Sequence, residues 1–175
     1  MKTVYMCFST DIIHSGHIKM IDKAMKFGKV IVGDLSDEAV ASYKRYPLLP
    51  YEERSNIIKH LFGVEEVVEQ KYLSYAENLR KLKPDYVVHG DDWKTGLQES
   101  IRQEVIDILK EYGGELLEYP YSNDEMYETL EKTAKEQLSI PDMRRGRLKK
   151  LIAMKQTITA LEAHNGITAI IVEKN

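Results

Sequence analysis

Short apolar runs alternate with amphipathic segments through the first two thirds of the chain, and no other feature restricts its fold as strongly. Val4, Tyr5, Met6, Cys7 and Phe8 form an unbroken apolar run within a first strand over 2–8. Residues 14–26 then repeat apolar side chains at helical spacing (Ile18, Met20, Ile21, Ala24, Met25). Gly28 ends that helix and Lys29 to Val32 reads as a second strand. Residues 35–50, with Lys44, Arg45, Pro47 and Pro50, read mainly as a loop. Residues 51–61 read as a helix through Ile57, Ile58 and Leu61, and Val64 to Val68 as a third strand. A helix over 74–82 begins at the capping residue Ser74 and is broken by Lys83-Pro84-Asp85, before a fourth strand from Tyr86 to Val88. Gly90-Asp91-Asp92-Trp93 follows directly. An amphipathic helix over 99–112 (Ile101, Val105, Ile106, Leu109) is closed by Gly113-Gly114, and Leu116 and Leu117 sit in a fifth strand.

Strands and helices in strict alternation predict an α/β fold, a parallel sheet of about five strands with helices on both faces. Such sheets bind ligands beyond the carboxyl ends of their strands, at the point where the strand order reverses. Three polar stretches fall at those ends: Ser9 to His17, Asp34 to Arg45 and His89 to Trp93. They are far apart in sequence and are predicted to converge.

The 175 residues suffice for one such domain with a sizeable core. A net charge of −3 offers no electrostatic case for nucleic-acid binding. No apolar run approaches the roughly 18 residues of a membrane span, and no signal peptide is visible, because charges begin at Lys2. The single cysteine, Cys7, has no internal disulfide partner and reads as a buried, inert thiol of a cytoplasmic protein. Beyond about residue 121 the character changes. Residues 122–160 read as a polar, helix-prone C-terminal extension that becomes basic at Arg144, Arg145, Arg147, Lys149 and Lys150. Residues 161–175 end on an apolar run, Ile167 to Val172, that has the look of an orphan strand.

The stretch Ser9 to Met20, STDIIHSGHIKM, carries the most chemistry. It opens a helix after a parallel strand, where free backbone N–H groups and the helix dipole favour an anion. His14 and His17 stand three residues apart, on one face of the first turn, and Gly16 between them permits close approach to the backbone. Two imidazole donors at this place suit phosphate and the stabilisation of charge on a transferring phosphoryl group. Zinc is the alternative, but His60, His89 and His164 are scattered and there is no second cysteine. Asp91 and Asp92, past the fourth strand, suit Mg²⁺ or a ribose, with capping of the next element as the ordinary alternative. Trp93 reads as a cover for the sheet end. Lys44, Arg45 and Arg54 supply the positive charge that a triphosphate needs, although Arg54 would equally serve as a surface partner of Glu52 or Glu53.

Residues 2–118 resemble the HxGH-type cytidylyltransferases. STDIIHSGHIKM is similar to their first signature, and YEERSNII and PDYVVHGDDWKTG to further segments. The wording ASYKRYP and PDYVVHGDDWKTG most resembles the cytidylyltransferase domains fused ahead of phosphoenolpyruvate mutase in phosphonate biosynthesis, and LEAHNGITAIIVE looks like the start of that mutase. The resemblance implies a Rossmann-like sheet over 1–121, the extension over 122–160 and a truncated mutase-like start over 161–175. It implies transfer of CMP from CTP to 2-aminoethylphosphonate or 2-hydroxyethylphosphonate with release of pyrophosphate, the alternatives being phosphocholine, phosphoethanolamine or glycerol 3-phosphate. Catalysis would fall to His14, His17 and Lys44. Nucleotide binding would fall to Ser9, Thr10, Asp11, Gly16, Arg54, Gly90, Asp91 and Asp92, with Mg²⁺ at Asp11 and Asp92. A homodimer within a longer bifunctional chain goes with the resemblance. In place of the family's second phosphate signature, a glycine followed by hydroxyl residues, stands Tyr121 to Glu128, which carries Asp124, Glu125 and Glu128. These carboxylates oppose a triphosphate and raise the alternative of a CTP-binding module with weakened catalysis.

Overall fold

The computed structural model describes residues 1–9, 12–43, 46–95 and 98–120, together with 129, 133, 149, 152 and 153. The chain divides into one unit, Met1–Thr133, and a second, Ala134–Asn175. The first unit contains β1 (Thr3–Phe8), α1 (Ser15–Ala24), β2 (Lys29–Leu35), α2 (Asp37–Tyr43), α3 (Tyr51–Lys59), β3 (Val64–Gln70), α4 (Ala76–Leu82), β4 (Tyr86–Gly90), a 3₁₀ turn (Asp91–Lys94), α5 (Glu99–Tyr112) and β5 (Glu115–Tyr119). The expected boundaries near 121 and 160, and the extension and terminal run beyond them, lie outside the described residues.

All five strands are parallel, in the order β3-β2-β1-β4-β5. The order reverses at β1, whose neighbours are β2 and β4, so the crevice expected of such sheets opens at the carboxyl ends of β1 and β4. The two-residue period of β1 sorts its side chains between two cores. Val4, Met6 and Phe8 pack with Ile21 and Ala24 of α1 and Ile58 of α3. Tyr5, on the other face, packs with Leu79 of α4 and Val105, Ile108 and Leu109 of α5. Helices therefore cover both faces, as the alternation predicts. Among the described residues no helix is long and apolar enough to cross a membrane.

The structure departs from the sequence reading in the bounds of several elements. The stretch read as loop contains α2, seven residues that Ser36 starts: its Oγ accepts from the Ala39 N–H at 3.1 Å, and Asp37 and Glu38 favour the positive end of the helix dipole. β2 runs three residues further than read, to Leu35, and β3 and β4 two each, to Gln70 and Gly90. Ser74 does not occupy the cap position of α4, which Tyr75 takes, yet its Oγ accepts from the Ala76 N–H at 3.2 Å while donating to Glu104.

Beneath the crevice lies a buried polar network. The Tyr5 hydroxyl donates to Gln70 Oε1 at 2.5 Å and accepts from Asn78 Nδ2 at 2.9 Å. Gly33 makes room for it, because a Cβ there would collide with the Tyr5 hydroxyl.

Candidate active site

The first wall of the crevice is the start of α1. His14 is the N-cap, in extended conformation (φ −137°, ψ 174°), and its Nδ1 accepts from the Gly16 N–H at 3.1 Å. The His17 Nδ1 accepts from the His14 N–H at 3.4 Å, while the His14 carbonyl accepts from the His17 N–H at 3.0 Å. Two histidines thus form a reciprocal capping box usually built from a hydroxyl and a carboxylate. The arrangement decides the tautomer. A neutral imidazole whose Nδ1 accepts carries its proton on Nε2, so both rings offer Nε2–H as donor. The rings lie 4.1 Å apart at 67°, and the edge of Phe8 holds the His17 ring at 4.9 Å. Both line the crevice. The group that closely approaches the Gly16 backbone is the His14 imidazole itself: a Cβ on Gly16 would fall 2.7 Å from His14 Cε1 and 3.0 Å from Nδ1.

The floor is the end of β1. Ser9 lines the crevice and is hydrogen-bonded to the Tyr43 hydroxyl. Burial pushes the Tyr43 phenol up to about 12, so it remains protonated, and Tyr43 ends α2 immediately before Lys44. Burial likewise pushes the Cys7 thiol up to about 12, against the Tyr75 hydroxyl that bonds it. Such a thiol is inert, in keeping with the sequence reading. Thr10, Asp11, Lys44 and Arg45 lie outside the described residues.

The opposite wall comes from the carboxyl end of β4. Gly90 and Asp92 line the crevice, whereas Asp91 does not. His89, which carries no signal in its spacing, also lines it. Its Nδ1 lies 2.8 Å from the Gly90 carbonyl and therefore bears the proton. The ring stacks on Trp93 at 3.6 Å, nearly parallel at 8°. Trp93 is 1% exposed, so it covers the sheet end as expected, and its indole N–H donates to Glu118 at 2.8 Å. Burial lowers the His89 pKa from its ordinary value, against the carbonyl of Gly90 and the carboxylate of Asp92 at 3.7 Å.

Arg54 is neither a surface group nor part of the crevice wall. It is 2% exposed; its Nη1 donates to Asp34 at 2.5 Å, and its Nη2 to Asp37 at 2.9 Å and to the Leu35 carbonyl at 2.7 Å. Partnership with Glu52 or Glu53 therefore gives way to a buried link that ties α3 to the end of β2 and the start of α2, the helix that leads to Lys44. Gln70, Leu73 and Tyr75 complete the crevice on the β3 side. Gln70, Leu73 and Tyr75 belong to no motif, whereas His89 stands inside the PDYVVHGDDWKTG segment without having been singled out there; the further signal available for them is position after a strand. Among the described residues no three histidine, cysteine or carboxylate side chains come together as metal ligands, so the zinc alternative for His14 and His17 finds no third ligand there.

The three polar stretches thus converge in part, at the switch point, with imidazole donors facing a wall of different polarity. The chain resembles known proteins in the same region. It is 30% identical over 92 residues to an FAD synthase of Ferroglobus placidus, covering 53% of this chain and 60% of that one. It is 33% identical over 95 residues to an ethanolamine-phosphate cytidylyltransferase of Arabidopsis thaliana, covering 51% of this chain and 23% of that one. The chain thus spans about three fifths of the first relative and about a quarter of the second. The crystal structure of a lipopolysaccharide core biosynthesis protein from Thermoplasma volcanium superposes with a TM-score of 0.58 at 20% identity, over 70% of this chain and 97% of that one, which shows a shared fold. The cytidylyltransferase-like family pattern matches residues 7–114, from the end of β1 through the close of α5, and with the HxGH turn at the switch point of a 3-2-1-4-5 sheet it makes this chain a member of the cytidylyltransferase-like family.

Proposed function

We propose that the protein is a nucleotidyltransferase that uses CTP and a small acceptor bearing a phosphate or phosphonate. An acceptor oxygen attacks the α-phosphorus of CTP, the bond from that phosphorus to the bridging α,β oxygen breaks, and pyrophosphate leaves with the electron pair. The observation that carries this reading is the His14–His17 capping box. It holds two Nε2–H donors side by side at the positive end of the helix dipole, the Gly16 and His14 backbone N–H groups being taken up by the imidazoles themselves. Donors fixed before reaction stabilise charge on the five-coordinate phosphorus without reorganising. Lys44, by resemblance, adds a cation. Mg²⁺ suits the oxygen donor of Asp92, with Asp11 as a second carboxylate, because this ion takes one or two carboxylates and otherwise keeps phosphate oxygens and water. When bound it would screen the triphosphate charge.

The ethanolamine-phosphate cytidylyltransferase relative supports a phosphoethanolamine-like acceptor. The resemblance of ASYKRYP, GDDW and the terminal stretch to the fused phosphonate enzymes supports 2-aminoethylphosphonate or 2-hydroxyethylphosphonate equally, together with a mutase partner domain, a homodimer and a cytoplasmic setting. The FAD synthase relative favours a second reading, with an adenine nucleotide as donor. Pyrophosphate release separates the donors and acceptors: the protein with Mg²⁺ is assayed with CTP or ATP against both phosphonates, phosphoethanolamine, phosphocholine and glycerol 3-phosphate. The proposal expects release with CTP and one of these acceptors, lost in His14→Ala and His17→Ala. Binding of CTP by calorimetry without turnover would instead favour the weakened module that Asp124, Glu125 and Glu128 suggest. Release that is indifferent to both histidines would end the proposal.

A further inference from the structure

We propose that Glu118, on β5 and outside the crevice, is a positioning residue that acts through Trp93 to hold the ring of His89 in its place in the crevice wall. The chain of contacts is continuous. Glu118 Oε1 accepts from Arg102 Nε at 2.7 Å and its Oε2 from Arg102 Nη2 at 2.9 Å, with Lys94 Nζ 3.6 Å away. This paired fork anchors the carboxylate to α5. The same Oε1 accepts the Trp93 indole N–H at 2.8 Å, which fixes the indole plane. The plane of Trp93 is the plane of His89, stacked 3.6 Å above it at 8°.

Orientation and tautomer then combine. The His89 Nδ1–H donates to the Gly90 carbonyl at 2.8 Å, which fixes the ring at a second point. His14 and His17 are locked the opposite way, with Nδ1 accepting and Nε2–H donating. The imidazole pair on one wall is set to donate, and the His89 ring on the facing wall is held between Trp93 and the Gly90 carbonyl. That this ring meets a bound nucleotide or its acceptor is where this inference rests on the proposed function.

Two substitutions separate positioning from plain stabilisation. Glu118→Gln keeps an oxygen for the indole N–H and loses both ion pairs; Glu118→Ala loses everything. Positioning predicts that Glu118→Ala raises the KM for CTP or the acceptor about tenfold, the loss of one hydrogen bond, with kcat little changed. Glu118→Gln then keeps KM within about twofold of the parent. Imidazole ¹⁵N NMR of the ligand-free protein reads the lock directly: the parent and Glu118→Gln show a protonated His89 Nδ1, and Glu118→Ala shows averaging between tautomers. Trp93 is the only tryptophan in the chain, so its emission reports the release of the indole in the same sample. If both variants lose thermal stability alike while KM and the His89 tautomer stay as in the parent, Glu118 is a structural ion-pair partner and the proposal is overturned. If the parent turns over no nucleotide, the proposed function fails, and the NMR comparison still decides whether Glu118 locks His89.

Discussion

Gly16→Ala isolates the His14 imidazole from the rest of the fold. The new methyl would sit 2.7 Å from His14 Cε1 and 3.0 Å from Nδ1, inside van der Waals contact. A side-chain ring gives way more easily than backbone, so His14 swings out and the Gly16 N–H to Nδ1 bond of 3.1 Å breaks. Losing a cap interaction costs about 1 kcal/mol, while replacing glycine by alanine in a helix returns about 0.5–1 kcal/mol. The two nearly cancel, so the melting temperature moves by no more than about 4 °C. Activity behaves differently. Misplacing one fixed donor to a charged transition state lowers kcat by about 10²–10³. The assay is steady-state pyrophosphate release alongside a thermal melt of the same preparation. His14→Ala/Gly16→Ala should be no slower than His14→Ala, because the glycine acts only through that ring. Parental kcat in Gly16→Ala, or a further loss in the double variant, would refute the reasoning.

Three further outcomes follow from other parts of the structure. Arg54→Met strands the buried Asp34 carboxylate and should destabilise the protein by about 3–5 kcal/mol in urea unfolding, with Asp34→Asn/Arg54→Met recovering part of the loss. Gly33→Ala drives a methyl into the Tyr5 hydroxyl and should lower stability by about 1–3 kcal/mol through overpacking of the Tyr5–Gln70–Asn78 network. The bonds from Arg102 and then Trp93 hold the Glu118 carboxyl at about 2, below its ordinary 4.5, so its contribution is complete above pH 4.5 and is lost as pH falls towards 2. With solvent screening that is about 1–3 kcal/mol, and Glu118→Gln should flatten the acid limb of the unfolding curve.

The sheet was legible because its strands carry short apolar runs between breakers, continuous in β1, β2 and β4 and broken by glutamates in β3 and β5, and the position of His14 and His17 after the first run pointed to the switch point without any coordinates. Short elements were less legible. α2 spans two turns, too few for an apolar period to stand out beside Lys44, Arg45, Pro47 and Pro50, although Ser36 followed by Asp37 and Glu38 is a helix-start signal. Long-range pairing was not legible at all. Arg54 looks like any charged residue on an exposed helix until β2 delivers Asp34 to it, across twenty positions of sequence. His89 and Glu118 are likewise ordinary in their own segments. Parallel pairing of β4 with β5 sets them opposite one another in register, and the stacked Trp93 joins them.

The central claim is that the imidazole pair serves a reaction at the α-phosphorus of a nucleoside triphosphate. Isotope partition tests it most directly: the protein, Mg²⁺ and the acceptor panel are incubated with CTP labelled with ³²P at either the α or the γ position, and products are separated. Attack at the α-phosphorus puts α label in a CMP-bearing adduct and γ label in pyrophosphate, with both transfers abolished in His14→Ala/His17→Ala. Label from the γ position released as orthophosphate or carried onto the acceptor would contradict it.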